Sequence, residues 1–340
     1  MANPLLMLLV LSAFSTWWLR RILIRAGMFD QPGQRRLHSV PVARGGGLAI
    51  VFTLLAAGVW LAADAPFLVW LLAGLLVVAL AGWRDDRHGL GIAPRLALHL
   101  LAAAVLVAGL LVCGPPWPTT GLPIAVLIAV ALLAAVASIN LHNFIDGANG
   151  MLCWQALFVL LALAALTPAE SAPLRPLALA SAAAVLGFLP FNFPRATVFL
   201  GDVGSGALGY WLAALALWAW AAGLFSLPQL LVLNALVLID GLATLAWRML
   251  AGKRWWRGHR EHLYQWLVRS GGSHARVSLG YLAANLLVIL PLLLALRARS
   301  PQAAALGDAI EWTATAGLTV VGLGIWVLAK RACLRRLRAQ

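Results

Sequence analysis

Eleven stretches of the chain are almost uninterruptedly apolar, at about residues 3–20, 46–63, 66–83, 94–113, 121–139, 150–167, 174–191, 205–224, 229–249, 277–297 and 308–329. Gly, Pro or charged positions bound each stretch, and each approaches the roughly 20 residues a helix needs to cross a bilayer. The pattern predicts an all-α polytopic integral membrane protein with about eleven transmembrane helices. The whole of 1–340 reads as a single transmembrane domain. Its polar connections fall at about 20–45, 84–95, 140–150, 191–205 and 250–276. The first run lacks a basic leader, and basic residues follow it where a signal peptidase would need small ones, so it is expected to remain as a helix.

Composition agrees, since 63% of the 340 residues are hydrophobic and only 11% charged, against about 45–50% and about 25% in soluble domains. An ordinary water-soluble protein is excluded. The net charge of +14 would favour a nucleic-acid partner in a soluble chain, but here it first sets topology. With the N-terminus outside, all of the 25 Lys and Arg except Arg175, Arg297 and Arg299 fall on the inner side. The expected orientation is therefore N-terminus periplasmic and C-terminus cytoplasmic. The C-terminal Arg cluster reads as a headgroup anchor in the lipid bilayer, and no nucleic acid is expected. Cys113, Cys153 and Cys333 lack the spacing of a zinc site or a disulfide framework.

Four polar clusters lie on that inner side. Asp85 and Asp86 are adjacent carboxylates that repel unless a cation or a proton sits between them, or unless Arg84 and Arg87 pair with them. Asn140, Asn143 and Asp146 recur every three residues, so a helical end would put their oxygens and amides on one face, followed by Gly147, Asn149 and Gly150. Gly201-Asp202-Val203-Gly204-Ser205 opens a helix, where free backbone N–H groups suit phosphate and Asp202 can hold a hard cation. His259, Arg260 and His262 follow Lys253-Arg254-Trp255-Trp256-Arg257, a composition that favours an anion over a metal. Asp240, deep in the ninth run, is a further candidate by its depth. Carboxylates for a divalent cation, Gly loops for phosphate and Arg/His for anions describe phosphoryl transfer, which works mainly by positioning and charge neutralisation.

At these motifs the chain resembles the polyprenyl-phosphate N-acetylhexosamine-1-phosphate transferases (glycosyltransferase family 4). Arg36, Leu37 and His38 with Pro41, Arg44, Gly45 and Gly46 are similar to the family's first inner loop, and Asp85-Asp86 to its paired aspartates. Asn140, Asn143, Asp146 and Gly147 match its NxxNxxDG run, and Gly201 to Ser205 its GDxGS loop. The resemblance implies transfer of a sugar-1-phosphate from a UDP-N-acetylhexosamine to undecaprenyl phosphate, releasing UMP, with Mg²⁺ required and Mn²⁺ as a substitute. It implies a multi-pass protein of the bacterial inner membrane with its active site facing the cytoplasm. A homodimer is left open.

By that resemblance Asp202 is the leading Mg²⁺ ligand with Asp86 beside it, and Asp85 or Asp86 aids the attacking lipid phosphate. Asn140, Asn143 and Asp146 would serve nucleotide and metal, and His259, Arg260 and His262, with Arg44, the pyrophosphate or sugar. Asn149 stands where many members carry a second aspartate, which weakens it as a metal ligand and leaves it as a substrate contact. The HRxHLYQ run is similar to the O-antigen-initiating branch, whose donors include UDP-N-acetylfucosamine and UDP-N-acetylquinovosamine, with UDP-GlcNAc also open. A muramyl-pentapeptide phosphotransferase is the alternative within the family, and a multispan anionic-lipid transporter the alternative outside it.

Overall fold

A computed structural model describes residues 3–339 except 32, 34–36, 38–39, 63–64, 118–119, 170, 172, 257 and 300–305. Arg35, Arg36, His38 and Arg257, assigned above to the inner side, lie outside the described residues. Every one of the eleven apolar runs is helical. The helices are α1 (Pro4–Arg25), α2 (Leu48–Leu61), α3 (Phe67–His88), α4 (Ile92–Cys113), α5 (Ile124–Ile145), α6 (Met151–Leu166), α7 (Leu174–Asn192) and α8 (Gly201–Ala221). They continue with α9 (Leu227–Leu233), α10 (Ala235–Leu250), the short α11 (Leu263–Arg269), α12 (His274–Arg299) and α13 (Ala309–Arg338).

Eight of these helices are long and apolar enough to cross a membrane, and α9 with α10 makes a ninth candidate bent by 80° at Asn234. Of the remaining three, α2 and α6 are shorter apolar helices and α11 has seven residues. The chain is thus a polytopic, predominantly helical membrane protein. At 30 residues, α13 is about 45 Å long, beyond the roughly 30 Å of hydrocarbon, so its last, arginine-bearing turns extend past the apolar layer.

The bundle is built around α8, which is almost wholly buried and packs on α3 and α5. Its small residues let neighbouring backbones approach closely, the usual basis of helix association in lipid.

A three-stranded sheet departs from the all-helical expectation. The strands β1 (Phe29–Asp30) and β2 (Val42–Arg44) are antiparallel, and β3 (Val198–Phe199) runs parallel to β2. Its Ala43↔Val198 and Arg44↔Phe199 pairings tie the α1–α2 connection to the entry of α8. Strands of two or three residues are too short to show a period of two in the sequence. The sheet carries Asp30 and Arg44 to the end of the bundle where α3 and α5 finish and α8 begins.

Candidate active site

A cavity of about 670 Å³ opens at that end, within the range of small-molecule sites. Its walls include Asp30 from the α1–α2 connection, Ile92 from the start of α4 and Asn143, Asp146 and Gly147 from the end of α5. They also include Asn192 from the end of α7, Asp202 from α8, and Trp255, Trp256, His259, His262 and Tyr264 from the segment after α10. All five connections that the Lys/Arg asymmetry assigns to one side therefore meet around one space.

Its acidic half is organised by Arg44. The guanidinium Nε donates to Asp86 Oδ1 at 2.7 Å, Nη2 to Asp202 Oδ2 at 2.8 Å, and Nη1 lies 3.7 Å from Asp30 Oδ1. Burial alone would lower the Arg44 pKa, but Asp202, Asp86 and Asp30 outweigh it and hold it above its ordinary value. Asp202 also accepts from Asn143 Nδ2 at 2.8 Å through Oδ1, and the same amide donates to Ser205 Oγ at 3.0 Å. Asp146 caps the end of α5 and lines the cavity, and its carboxylate accepts no hydrogen bond from the described residues. Burial, followed by the negative charge of Asp202, pushes its pKa well above the usual carboxylate range.

Asp85 and Asp86 sit in the last turn of α3 rather than in a loop, and they point to different partners. The Asp86 side chain is wholly buried; it accepts from the backbone N–H of Asp202 at 2.9 Å and of Val203 at 3.0 Å. The α8 N-terminal amides expected to meet a phosphate are thus already taken by an internal carboxylate, which the helix dipole also favours. Gly201 makes this possible, because its φ of +73° suits glycine and a Cβ there would stand 2.5 Å from Asp86 Oδ2. Asp85 accepts from Leu90 N–H at 2.6 Å and from Arg95 at 3.1 Å, and Arg95 itself lines the cavity.

Asn140, three residues before Asn143 on α5, does not line the cavity. Its amide donates to Val136 O at 2.8 Å and lies 3.3 Å from His99 Nδ1, away from the cavity lining. The Asn149 amide donates to Pro194 O at 3.1 Å, and neither Asn149 nor Arg260 lines the cavity.

The opposite wall is aromatic and imidazole-rich. His259 precedes α11 and His262 caps it, so the two are brought together by a turn rather than by helical spacing, with rings stacked at 4.9 Å between centroids. Burial, then the nearby His262 and Arg248, lowers the His259 pKa to about 4, so its imidazole is neutral at pH 7. The rings of Trp255 and Trp256 are perpendicular, 5.6 Å apart, and exposed at the rim. Asp30 and Arg95 carry no signal in the sequence, while Tyr264 and the Trp pair fall in the basic, His-bearing segment without being site candidates there.

Among the described residues, no three His, Cys, Asp or Glu side chains form a ready-made metal cage. A cage of three is not what Mg²⁺ requires, since it keeps several waters and takes one or two protein carboxylates plus substrate phosphate. Asp146 and Asp202 both open onto the cavity and provide such a donor pair.

The geometry defines a polar cavity at one end of a bundle of apolar helices, with carboxylates and Arg44 on one wall and imidazole and indole rings on the other. Residues 67–220 match the model of glycosyl transferase family 4. The chain is 30% identical over 315 residues to the decaprenyl-phosphate N-acetylglucosaminephosphotransferase of Mycolicibacterium smegmatis, covering 79% of this chain and 76% of that protein. It is 27% identical over 266 residues to the probable undecaprenyl-phosphate N-acetylglucosaminyl 1-phosphate transferase of Bacillus subtilis, covering 75% and 74%. The phospho-N-acetylmuramoyl-pentapeptide-transferase of Trichormus variabilis is similar over half of each chain, at 34% identity over 188 residues. The chain belongs to glycosyl transferase family 4, the polyprenyl-phosphate N-acetylhexosamine-1-phosphate transferase superfamily.

Proposed function

We propose that this transferase moves an N-acetylhexosamine-1-phosphate from a UDP-sugar to undecaprenyl phosphate and releases UMP, as the initiating step of O-antigen or a related surface polysaccharide. The observation that carries the reading is the convergence of Arg44, Asn143, Asp146, Asp202, His259 and His262 on one cavity at one end of the bundle. The relatives' names support the reaction class. We read all eleven apolar helical runs as spans, with the N-terminus periplasmic and the cavity facing the cytoplasm of a bacterial inner membrane, because the basic residues crowd the cavity end.

In this reaction an oxygen of the lipid phosphate attacks the β-phosphorus of the UDP-sugar, and the bond to the bridging oxygen of UMP breaks. A phosphate monoester with a second pKa near 6 is already largely dianionic at neutral pH, so little proton removal is required and attack is direct. Asp202 and Asp146 would hold Mg²⁺, which when bound neutralises charge on the pyrophosphate. Asn143 orients Asp202, and Arg44 fixes Asp202 relative to α3 and supplies a permanent cation. Neutral His259, with His262, donates hydrogen bonds to the pyrophosphate or sugar. Asp86 acts by holding the N-terminus of α8 and Arg44 in place, a positioning role in place of metal ligation.

The HRxHLYQ run favours a 6-deoxy-N-acetylhexosamine donor, whereas the relatives named above favour UDP-GlcNAc. Purified protein with undecaprenyl phosphate and Mg²⁺ should release UMP from one of UDP-GlcNAc, UDP-N-acetylfucosamine or UDP-N-acetylquinovosamine, and EDTA should stop it. Turnover of UDP-N-acetylmuramoyl-pentapeptide instead would select the muramyl reading. Silence with every donor from a folded, lipid-binding protein would turn the reading towards a lipid transporter.

A further inference from the structure

Asp240 lies in the middle of α10, in an apolar helix where a carboxylate is costly unless it has work to do. It is buried, does not line the cavity, and has no place in the reaction described above. Five donors nevertheless converge on it. Its Oδ1 accepts the Leu263 N–H at 2.7 Å, Trp326 Nε1 at 3.2 Å and Thr244 Oγ1 at 3.3 Å. Its Oδ2 accepts Tyr281 Oη–H at 3.0 Å and the Tyr264 N–H at 3.4 Å, and His262 Nδ1 stands 3.8 Å from Oδ1.

These donors come from α10 itself, α11, α12 and α13, so one carboxylate joins four elements. Two of them are the first backbone N–H groups of α11, which have no partner within their own helix. Asp240 satisfies them from a different helix, with an anion at the positive end of the helix. The consequence reaches the cavity through the residues at that turn. His262 lines it directly, while the Tyr264 hydroxyl donates to Phe144 O at 2.8 Å, within the segment that carries Asn143 and Asp146. A Cβ at Gly147 would stand 2.2 Å from that hydroxyl, so the DG pair is shaped to receive Tyr264.

We propose that Asp240 is a positioning residue of the transferase: its carboxylate anchors the first turn of α11 and thereby sets His262 on the substrate and Tyr264 against the Asn143–Asp146 turn. The proposal rests on the reading of the cavity as the phosphosugar-transfer site. Neutralising Asp240 leaves its shape but removes the charge that holds α11, and hydrogen bonds to a charged group correspond to about 10- to 100-fold in an equilibrium.

Two measurements on the full-length protein test it. In Asp240→Asn, amides of residues 259–270 should exchange with deuterium at least about tenfold faster, with α3, α5 and α8 unchanged. Unchanged exchange in α11, or an even rise across the bundle, overturns the anchor. In UMP release, Asp240→Asn and His262→Ala should each lower kcat/KM by about 10- to 100-fold. The double variant should fall well short of the product of the two single losses, because the effect of Asp240 runs in part through His262. A multiplicative loss shows that Asp240 acts independently of His262 and overturns the proposal. Tyr281→Phe removes one hydrogen bond without the charge and should give the same exchange pattern with a loss of about two- to tenfold, which keeps the test open should Asp240→Asn fold poorly. Inactivity of the wild-type protein would count against the transferase reading, while the exchange experiment still reports on the anchor.

Discussion

Two arginines at opposite ends of the bundle, both half-buried, show what separates a structural polar network from one that lines a cavity. Arg297, near the end of α12, donates to Leu224 O at 2.6 Å, Leu166 O at 2.8 Å and Gln229 Oε1 at 3.3 Å, with its guanidinium 4.4 Å from the Phe225 ring centroid. It closes helix ends through uncharged acceptors and lies away from the 670 Å³ cavity. Arg44 instead forks across carboxylates, of which Asp30 and Asp202 face a cavity while Asp86 is buried behind them. A half-buried cation is thus no signal by itself. What distinguishes Arg44 is that its partners are anions, two of them open to a ligand.

The sharpest way to break this contrast is Asp202→Asn, which keeps an acceptor for Arg44 but removes the charge. UMP release should fall by about 10³-fold or more with the protein folded and inserted, and retained turnover would refute the role given to Asp202. Asp146→Asn should cost about 100-fold, whereas Asn149→Asp, which lies off the cavity, should stay within about fivefold. The reverse order would show that the NxxNxxDGxN segment has been misread. Arg44→Lys keeps the charge but loses the fork to Asp86 and Asp202, with an expected loss of about 10- to 100-fold in kcat/KM.

Arg297→Met is the counterpart at the other end. It should weaken the fold by about 1.5–3 kcal/mol, seen as a lower melting temperature, while KM for the UDP-sugar is unchanged. The smallest effect concerns pH. His259 is held neutral down to about 4 in the folded protein, against an ordinary value of 6.5. Between these values the unfolded chain binds more protons, so the His259 contribution to stability is lost as pH falls through that window. His259→Gln should therefore flatten the acid dependence of melting between about pH 6.5 and 4, and an unaltered pH profile would contradict the neutral assignment.

Much of this was legible in the sequence because the strongest signals are local. Every apolar run is a helix, and the connections singled out by Lys/Arg placement line one cavity, since burial in lipid leaves little freedom in where polar segments go. The features that sequence did not show depend on tertiary partners. Asp86 carries the DD motif, and its carboxylate accepts from the Asp202 N–H at the start of α8, a pairing across 116 positions. Asn140 has the right spacing, but on the actual helix its amide turns to Val136 and His99. His259 and His262 meet through a cap rather than a helix face. The small sheet, and with it Asp30, was invisible because two-residue strands have no pattern. Asp240 was conspicuous by depth, but its donors come from elements up to 86 positions away.

The central claim is that a sugar leaves the nucleotide together with its phosphate. UDP-N-acetylglucosamine and its 6-deoxy analogues, labelled with ³²P at the β-phosphate, should be supplied to the wild-type protein with undecaprenyl phosphate and Mg²⁺. The expected result is label in the lipid fraction, matched by an equal amount of unlabelled UMP. Label released as UDP, with sugar alone on the lipid, would contradict it and identify a simple glycosyl transfer instead.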